Sequence, residues 1–260
     1  YKTALNETPS FVKINLDGRE KKLITPGIIF NESVNYLDEW AVWSEQIADA
    51  RWEHSGKSLI RLLNLKNRID LSFFPEFTAF APSISPDKNS VVVVESNFSN
   101  DYYLSVYHIP EGKLLHRFQT ENNNYFFSPE WLNENEIAVI VLFPEGKRIA
   151  KLNLQNNRFD VLLDKDFGEL KNLRIKNNSI FFVGSHSGKD ALFRFDLVDK
   201  SVSKVYVPRF GIESQAFSAD VISLVLRVYT ADGFVLIKVS AKEINKVEIN
   251  NLQKKHDLLA

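Results

Sequence analysis

The sequence contains no cysteine and no methionine among its 260 residues. The first absence excludes disulfides, thiolate nucleophiles and thiolate metal sites. It suits an exported bacterial protein, although many cytosolic proteins also lack cysteine. The second absence extends to position 1, which is Tyr1, so the chain reads as a processed product or an excised piece of a longer one. No apolar run approaches the roughly 20 residues that a membrane helix needs. Neither sign of charge dominates: 32 Lys and Arg stand against 33 Asp and Glu, for a net of −1. No global field therefore draws the chain to nucleic acid or to an anionic membrane. Apolar material is plentiful, with 44% hydrophobic residues and 20 Phe. That suffices for a sizeable core, and aromatic and β-branched residues favour pleated, half-buried strands.

One pattern, strand then polar turn then strand, occurs six times. Its copies are VKINLDGREKKL around Asn15, RLLNLKNRIDLSF around Asn64, SVYHIPEGKLLHRF around His108, KLNLQNNRFDVLL around Asn153, FRFDLVDKSVSKVYV around Asp196 and IKVSAKEINKVEI around Ser240. Successive anchors are 49, 44, 45, 43 and 44 residues apart. Self-similarity at a period in the forties marks a repeat architecture. Asp17-Gly18 and similar turns between alternating segments are hairpin signals. Ahead of each hairpin lie two further strands. The second is almost continuously apolar: Val91–Val94, Ile137–Val141, Ile180–Val183 and Ile222–Leu226. A strand buried on both faces reads this way. The last strand alternates and carries charge, as in Lys200–Val207, which suits an edge exposed to water.

Four antiparallel strands cannot bury both faces of their own sheet, but sheets stacked around an axis can. The pattern therefore predicts an all-β fold, a six-bladed β-propeller of four-stranded antiparallel blades. A β-sandwich is the runner-up and leaves the strict period unexplained. The blades fall at about 1–24, 31–74, 80–118, 127–163, 172–207 and 214–249, followed by a polar tail at 253–260. The first blade is expected to be incomplete at its N-terminus, its innermost strand lying upstream.

The third repeat carries a recognisable first turn, Ser85-Pro86-Asp87-Lys88, with Lys88 where the signature has Gly. The stretch Ala81–Val94 resembles the WD-like repeat of TolB-type six-bladed propellers and, more distantly, the propeller domains of prolyl oligopeptidases. Ser128-Pro129-Glu130-Trp131 and Ser218-Ala219-Asp220 are worn copies. Segments Ala41–His54, Ser187–Asp190 and Pro208–Gly211 resemble blades of large TolB-like envelope proteins of Bacteroidetes. The resemblance implies one module of a longer protein in the bacterial periplasm or cell envelope, with a cytoplasmic location still open.

Catalytic motifs are missing. Gly184-Ser185-His186-Ser187-Gly188 has His where a nucleophile elbow needs Ser, and it falls in a strand–strand turn. His108 and His116 flank a hairpin turn and could face each other, but a zinc site there lacks its remaining ligands. The innermost strands offer only Glu130, Lys171 and Arg174, which form no paired carboxylates of the glycosidase kind. No cofactor and no metal are expected.

The connections between second and third strands, and between one blade and the next, leave at one face of a propeller. On that face the sequence places Asp49, Arg51, Trp52 and His54 of the long insertion Gln46–Gly56, then Phe77, Tyr125, Arg209 and Phe210. Aromatic and Arg residues are enriched at protein-binding hot spots. Such rings can equally plug the blade entrances, whereas the insertion is longer than closure requires. The leading expectation is a non-catalytic, monomeric module of a longer chain that binds protein or peptide through this face. A gating propeller of a peptidase whose catalytic domain lies elsewhere is the alternative, and a glycan-active enzyme with a channel site is the third.

Overall fold

The structure, a computed structural model, describes residues 2–4, 6–15, 17–29, 34–51, 56–186, 188–217, 223–240 and 247–248. The fold is an all-β propeller of four-stranded antiparallel blades. The chain divides into two compact units, Tyr1–Gln119 and Thr120–Ala260.

The first unit holds three sheets. One contains β1 (Lys2–Ala4), β2 (Glu7–Ile14) and β3 (Glu20–Ile24). The second contains β4 (Asn35–Leu37), β5 (Trp40–Ile47), β6 (Lys57–Asn64) and β7 (Asp70–Phe73). The third contains β8 (Thr78–Ile84), β9 (Ser90–Ser96), β10 (Tyr102–His108) and β11 (Leu114–Phe118).

The second unit also holds three sheets. Its fourth blade is β12 (Tyr125–Asn133), β13 (Glu136–Phe143), β14 (Gly146–Asn153) and β15 (Phe159–Leu163). The fifth is β16 (Leu170–Lys176), β17 (Ser179–His186), β18 (Lys189–Asp196) and β19 (Val202–Tyr206). The last repeat has β20 (Ile212–Phe217), β21 (Ser223–Thr230) and β22 (Gly233–Ser240). Consecutive strands pair throughout, except that β23 (Val247–Glu248) lies on β19.

Four complete blades and the three-stranded N-terminal one make five. The expected sixth stops at three strands among the described residues, because the strand that should close it joins the fifth sheet.

The anchors of the sequence repeat are one structural position. Asn64, His108, Asn153, Asp196 and Ser240 each pair with the first residue of the preceding strand: Trp40, Ser90, Glu136, Ser179 and Ser223. Asn and Asp serve here because a short acceptor side chain can close the following turn. Asn64 Oδ1 accepts from the Lys66 and Asn67 amides at 3.0 and 3.1 Å. Asn153 Oδ1 and Asp196 Oδ1 close their turns in the same way. The Ser85 turn is tied by Ser85 Oγ, which accepts from the Ser90 amide at 2.9 Å. Lys88, in the place of the signature Gly, takes a left-handed φ of 63°.

The inner strands start earlier than the sequence suggests. Their blades are expected from about 80, 127, 172 and 214, and the strands begin at Thr78, Tyr125, Leu170 and Ile212. The cause is a register break in each: between Phe80 and Ser83, Phe127 and Glu130, Lys171 and Arg174, and Ile212 and Ser214. Ala81, Ser128 and Asn172 sit in these breaks at φ of 49°, 44° and 55°. Pro82 and Pro129 fall in two of them, where proline costs no ladder bond.

Within each unit, successive blades pack through their apolar faces and lock through side-chain to backbone bonds. In the first unit Phe11 meets the edge of Trp43 at 4.9 Å, and Val42, Ile60 and Leu62 join Val91, Val93 and Tyr107. The Ala79 amide donates to Ser58 Oγ at 2.9 Å, and Ser44 Oγ donates to the Ala79 carbonyl at 2.7 Å. In the second unit Phe167, Phe182 and Phe193 centre one core, and Leu192, Val205, Ile212 and Leu226 belong to another. Asn172 Nδ2 donates to the Glu213 carbonyl at 2.6 Å, and Gln215 Nε2 donates to the Asn172 carbonyl at 2.5 Å.

Candidate functional site

Alternation along a meander sends the second-to-third and blade-to-blade connections out at one end of the blades. The first-to-second and third-to-fourth turns leave at the other. Each unit carries a cluster of charged and aromatic groups at the former end.

In the first unit this chemistry is built on the sixth residue of the second strand. That residue is Glu45 in the second blade and Glu95 in the third, 3% and 0% exposed. A buried carboxylate is costly unless hydrogen-bonded and paired, and both are. Glu95 Oε2 accepts from Ser105 Oγ at 2.5 Å and from Arg117 Nη2 at 2.9 Å. Its Oε1 accepts from Tyr107 OH at 2.5 Å and from the Phe77 amide at 3.4 Å. Burial, and then the bond to Glu95, push the Tyr107 phenol far above its ordinary pKa, so it stays a neutral donor. Burial works against the charge of Arg117, but bonds to Glu76 and Glu95 outweigh it and hold the guanidinium above its ordinary value. This group also lies 4.5 Å from the Phe77 ring and 5.4 Å from Tyr103, and the two rings stack at 5.6 Å. Glu76, more than half exposed, takes the outer edge of Arg117 at 2.8 Å.

In the second blade Glu45 accepts from Trp43 Nε1 at 2.7 Å and Arg61 Nη1 at 3.2 Å. Arg61 grips Asp70 with two bonds, at 3.0 and 2.6 Å, the strong fork geometry of a guanidinium on a carboxylate. Those bonds hold the Asp70 carboxyl below its ordinary pKa of 3.8. A depressed carboxylate stabilises the fold above its unfolded pKa and loses that contribution as pH falls through its folded value. Melting temperature is thus expected to hold down to about pH 4 and fall below it. Asp70→Asn should flatten that fall, and equal slopes for both proteins in thermal melts from pH 3 to 7 would rule the pairing out as a cause.

The second unit answers the same position with Val141, Gly184 and Val228. A Cβ on Gly184 would come within 2.9 Å of Phe167 and 3.1 Å of Phe193; aromatic rings occupy the space a carboxylate would need. Its polar groups sit nearer the strand ends. Lys147 bonds Glu169 and lies 4.5 Å from the Phe127 ring. Lys171 pairs with Glu213 at 3.1 Å and Asp190 at 3.4 Å, and Tyr229 OH donates to Glu213 at 2.8 Å. Desolvation opposes these charges. The bonds win, so Lys171 is raised and Glu213 lowered from their ordinary values.

The residues expected from the sequence distribute as follows. Asp49 Oδ1 accepts from the Arg51 amide at 2.8 Å and shapes the insertion. Trp52 and His54 lie outside the described residues. Phe77 belongs to the Arg117 cluster. Tyr125 meets Phe127 at 4.5 Å, beside Lys147. Arg209 covers Phe210 at 4.9 Å, and Phe210 is 55% exposed. It precedes Gly211, whose carbonyl accepts from the Tyr229 amide. Phe74 and Phe98 are exposed at the same end of the first unit, Phe98 by 90%. Sequence reasoning missed Glu95, Tyr103 and Arg117. Glu45 and Glu95 stand 19 and 13 residues before their anchors, so only the pairing register of the structure shows them as one position.

Two other expectations change. His108 does not face His116: its ring bonds Glu111 within the turn, and His116 stands opposite Val106. Glu130 and Arg174 of the inner strands pair with each other, and Glu213 joins Lys171 among inner-strand charges. Among the described residues no group of three or more His, Asp or Glu could hold a metal, and no helix is long and apolar enough to cross a membrane.

No protein-family model matches the chain, and no curated protein matches it. Solved structures do. A protein assigned as TolB from Agrobacterium tumefaciens superposes with a TM-score of 0.65 at 13% identity, over 88% of this chain and 83% of its own. TolB from Acinetobacter baumannii gives 0.62 at 11% identity, over 80% of this chain. A puromycin-hydrolysing peptidase from Mycobacterium tuberculosis gives 0.60 at 14% identity, over 98% of this chain. The chain spans 52% of the Acinetobacter protein's length and 46% of the peptidase's. The neighbours share the propeller fold expected from the Ser85 turn.

Proposed function

We propose that the chain is a non-catalytic propeller module that binds protein or peptide, in a larger protein of the bacterial cell envelope. The observation that carries this reading is the pairing of rings with cations where the long connections leave. Arg117 lies beside the stacked rings of Phe77 and Tyr103 in one unit, and Phe210 with Arg209 projects from the other. Arg117 is taken up by Glu76 and Glu95, so what the first patch offers a partner is mainly aromatic surface, while the second adds the Arg209 guanidinium beside Phe210. Phe210 is exposed while Phe77 and Tyr103 are half-buried, and rings beside Arg are residue types enriched at protein-binding hot spots. Asp49, Arg51, Trp52 and His54 extend the proposed surface of the first unit, and Tyr125 that of the second.

The test is selection from a displayed library of unstructured peptides. A selected peptide should lose about tenfold in affinity with either Phe77→Ala or Phe210→Ala, the scale of an ordinary hot spot. Leu115→Ala and Val198→Ala, at the opposite end of the blades, should leave binding unchanged. Loss only with the latter pair would refute the assignment. A second reading, the gating propeller of a peptidase, draws on the alignment of nearly the whole chain with less than half of the mycobacterial enzyme. Its test is the gene sequence on both sides of these residues: a hydrolase domain there supports it.

A further inference from the structure

Most guanidinium groups of this protein meet a carboxylate. Arg61, Arg117, Arg148, Arg158, Arg174 and Arg194 each bond one. Arg209 bonds none among the described residues, where its close neighbour is the Phe210 ring at 4.9 Å. Two carboxylates beside its loop are already engaged. Lys171 takes Asp190 at 3.4 Å and Glu213 at 3.1 Å, and Tyr229 OH donates to Glu213. A ring attracts the charge of a guanidinium but offers its N–H donors no lone pair. The planar fork of Arg209 is thus left without an acceptor oxygen among the described residues.

The loop holds this pair outward between two fixed points. Pro208 is buried on one side. On the other, Gly211 has a left-handed φ of 122° and sits so close to its neighbours that an added Cβ would lie 3.6 Å from Tyr229 and 3.7 Å from Asp190. The Gly211 carbonyl also accepts from the Tyr229 amide at 3.2 Å. Arg209 and Phe210 between them are both exposed, Phe210 by 55%. An anchor already held in place loses less freedom on binding. Apolar surface continues beyond Gly211 through Tyr229 and Phe234, whose rings lie 4.4 Å apart and are 38% and 45% exposed as residues.

We propose that Arg209 receives the carboxylate of an Asp or Glu side chain in the bound peptide, while neighbouring apolar residues of that peptide lie on Phe210 and Tyr229. This rests on the peptide-binding reading above and adds the chemistry of the partner. An acidic side chain suits the place better than other anions. The guanidinium fork matches one carboxylate with two parallel bonds. Phosphorylated segments are met by clusters of arginine, and the adjoining cation, Lys171, is already paired with Asp190 and Glu213. The carboxylate at a chain terminus is met by successive backbone amides, and Pro208 has no N–H to offer.

The test uses the full chain and peptides selected from the displayed library. Peptides that bind this patch should carry an Asp or Glu beside an apolar residue. Changing that acid to Asn or Gln should weaken binding about fivefold, the upper end for a pair that water still reaches, and the difference should shrink as salt is raised. Arg209→Gln should weaken the acidic peptide by the same factor and leave its amide version unchanged. Arg209→Lys should restore part of the affinity, since it keeps the charge and loses the fork. Amidating the C-terminus of the peptide should change nothing. Peptides that respond to Phe210→Ala, yet have no acid or lose nothing when it is neutralised, would overturn this inference and leave the peptide-binding reading standing. Equal weakening of acidic and amide peptides by Arg209→Gln, or a loss on amidation, would overturn it too. If no peptide is selected at all, both readings fall.

Discussion

Glu95→Ala is expected to destabilise the protein by about 3 kcal/mol, the lower end of the range for removing one partner of a buried ion pair. The change leaves the Arg117 guanidinium, the Tyr107 hydroxyl and Ser105 Oγ without the acceptor that each now uses. It also opens a hole where a fully buried side chain stood. For a chain of this size such a loss lowers the melting midpoint by roughly 6–12 °C. Glu95→Gln, which keeps the shape and an acceptor, should cost only about 1–2 kcal/mol. Replacing both partners, Glu95→Leu with Arg117→Met, should recover much of the loss, because an apolar pair of similar volume carries no desolvation penalty. Denaturant titration of the four proteins decides it. A loss below about 1 kcal/mol for Glu95→Ala would mean that water already reaches this carboxylate.

Phe193→Ala is the counterpart in the second unit. Phe193 is fully buried, stacks on Phe182 with centroids 5.5 Å apart and meets the edge of Phe167 at 5.0 Å. Truncating it removes transfer energy and leaves a cavity, together about 3–5 kcal/mol. Phe193→Leu should cost roughly 1–2 kcal/mol, since much of the volume remains. The pairing register puts Phe193 at the place of Arg61 and Ser105 in the first unit. The two units thus fill one position in opposite ways: with ion networks under Glu45 and Glu95, and with rings around Gly184. Equal and small effects at Phe193 and at an exposed ring such as Phe74 would contradict this packing.

The hairpins were legible because each rests on local chemistry: an anchor that closes a turn and an alternating strand on either side. The propeller followed from their spacing, and the Ser85 turn pointed to the correct neighbours. The inner strands begin a few residues earlier than expected because each carries a register break; Pro82 and Pro129 sit inside strands at two of these bulges, which absorb the missing donor. The last hairpin misled for a different reason. Local pattern assigns Val247 to β22, and tertiary pairing places it on β19. Glu45 and Glu95 were hidden at the ends of apolar runs, and their arginines lie 16 and 22 residues away on other strands. Arg209 and Phe210 could be picked out as a neighbouring pair. Arg117, Phe77 and Tyr103 could not, since only the fold joins them.

The most direct measurement is the amide-exchange footprint of a bound peptide on the intact chain. Binding at the ends where the long connections leave predicts protection at 74–77 and 97–103, or at 207–211 and 227–234. Protection confined to the opposite turns, at 65–69, 109–113, 154–158 or 197–201, would contradict it.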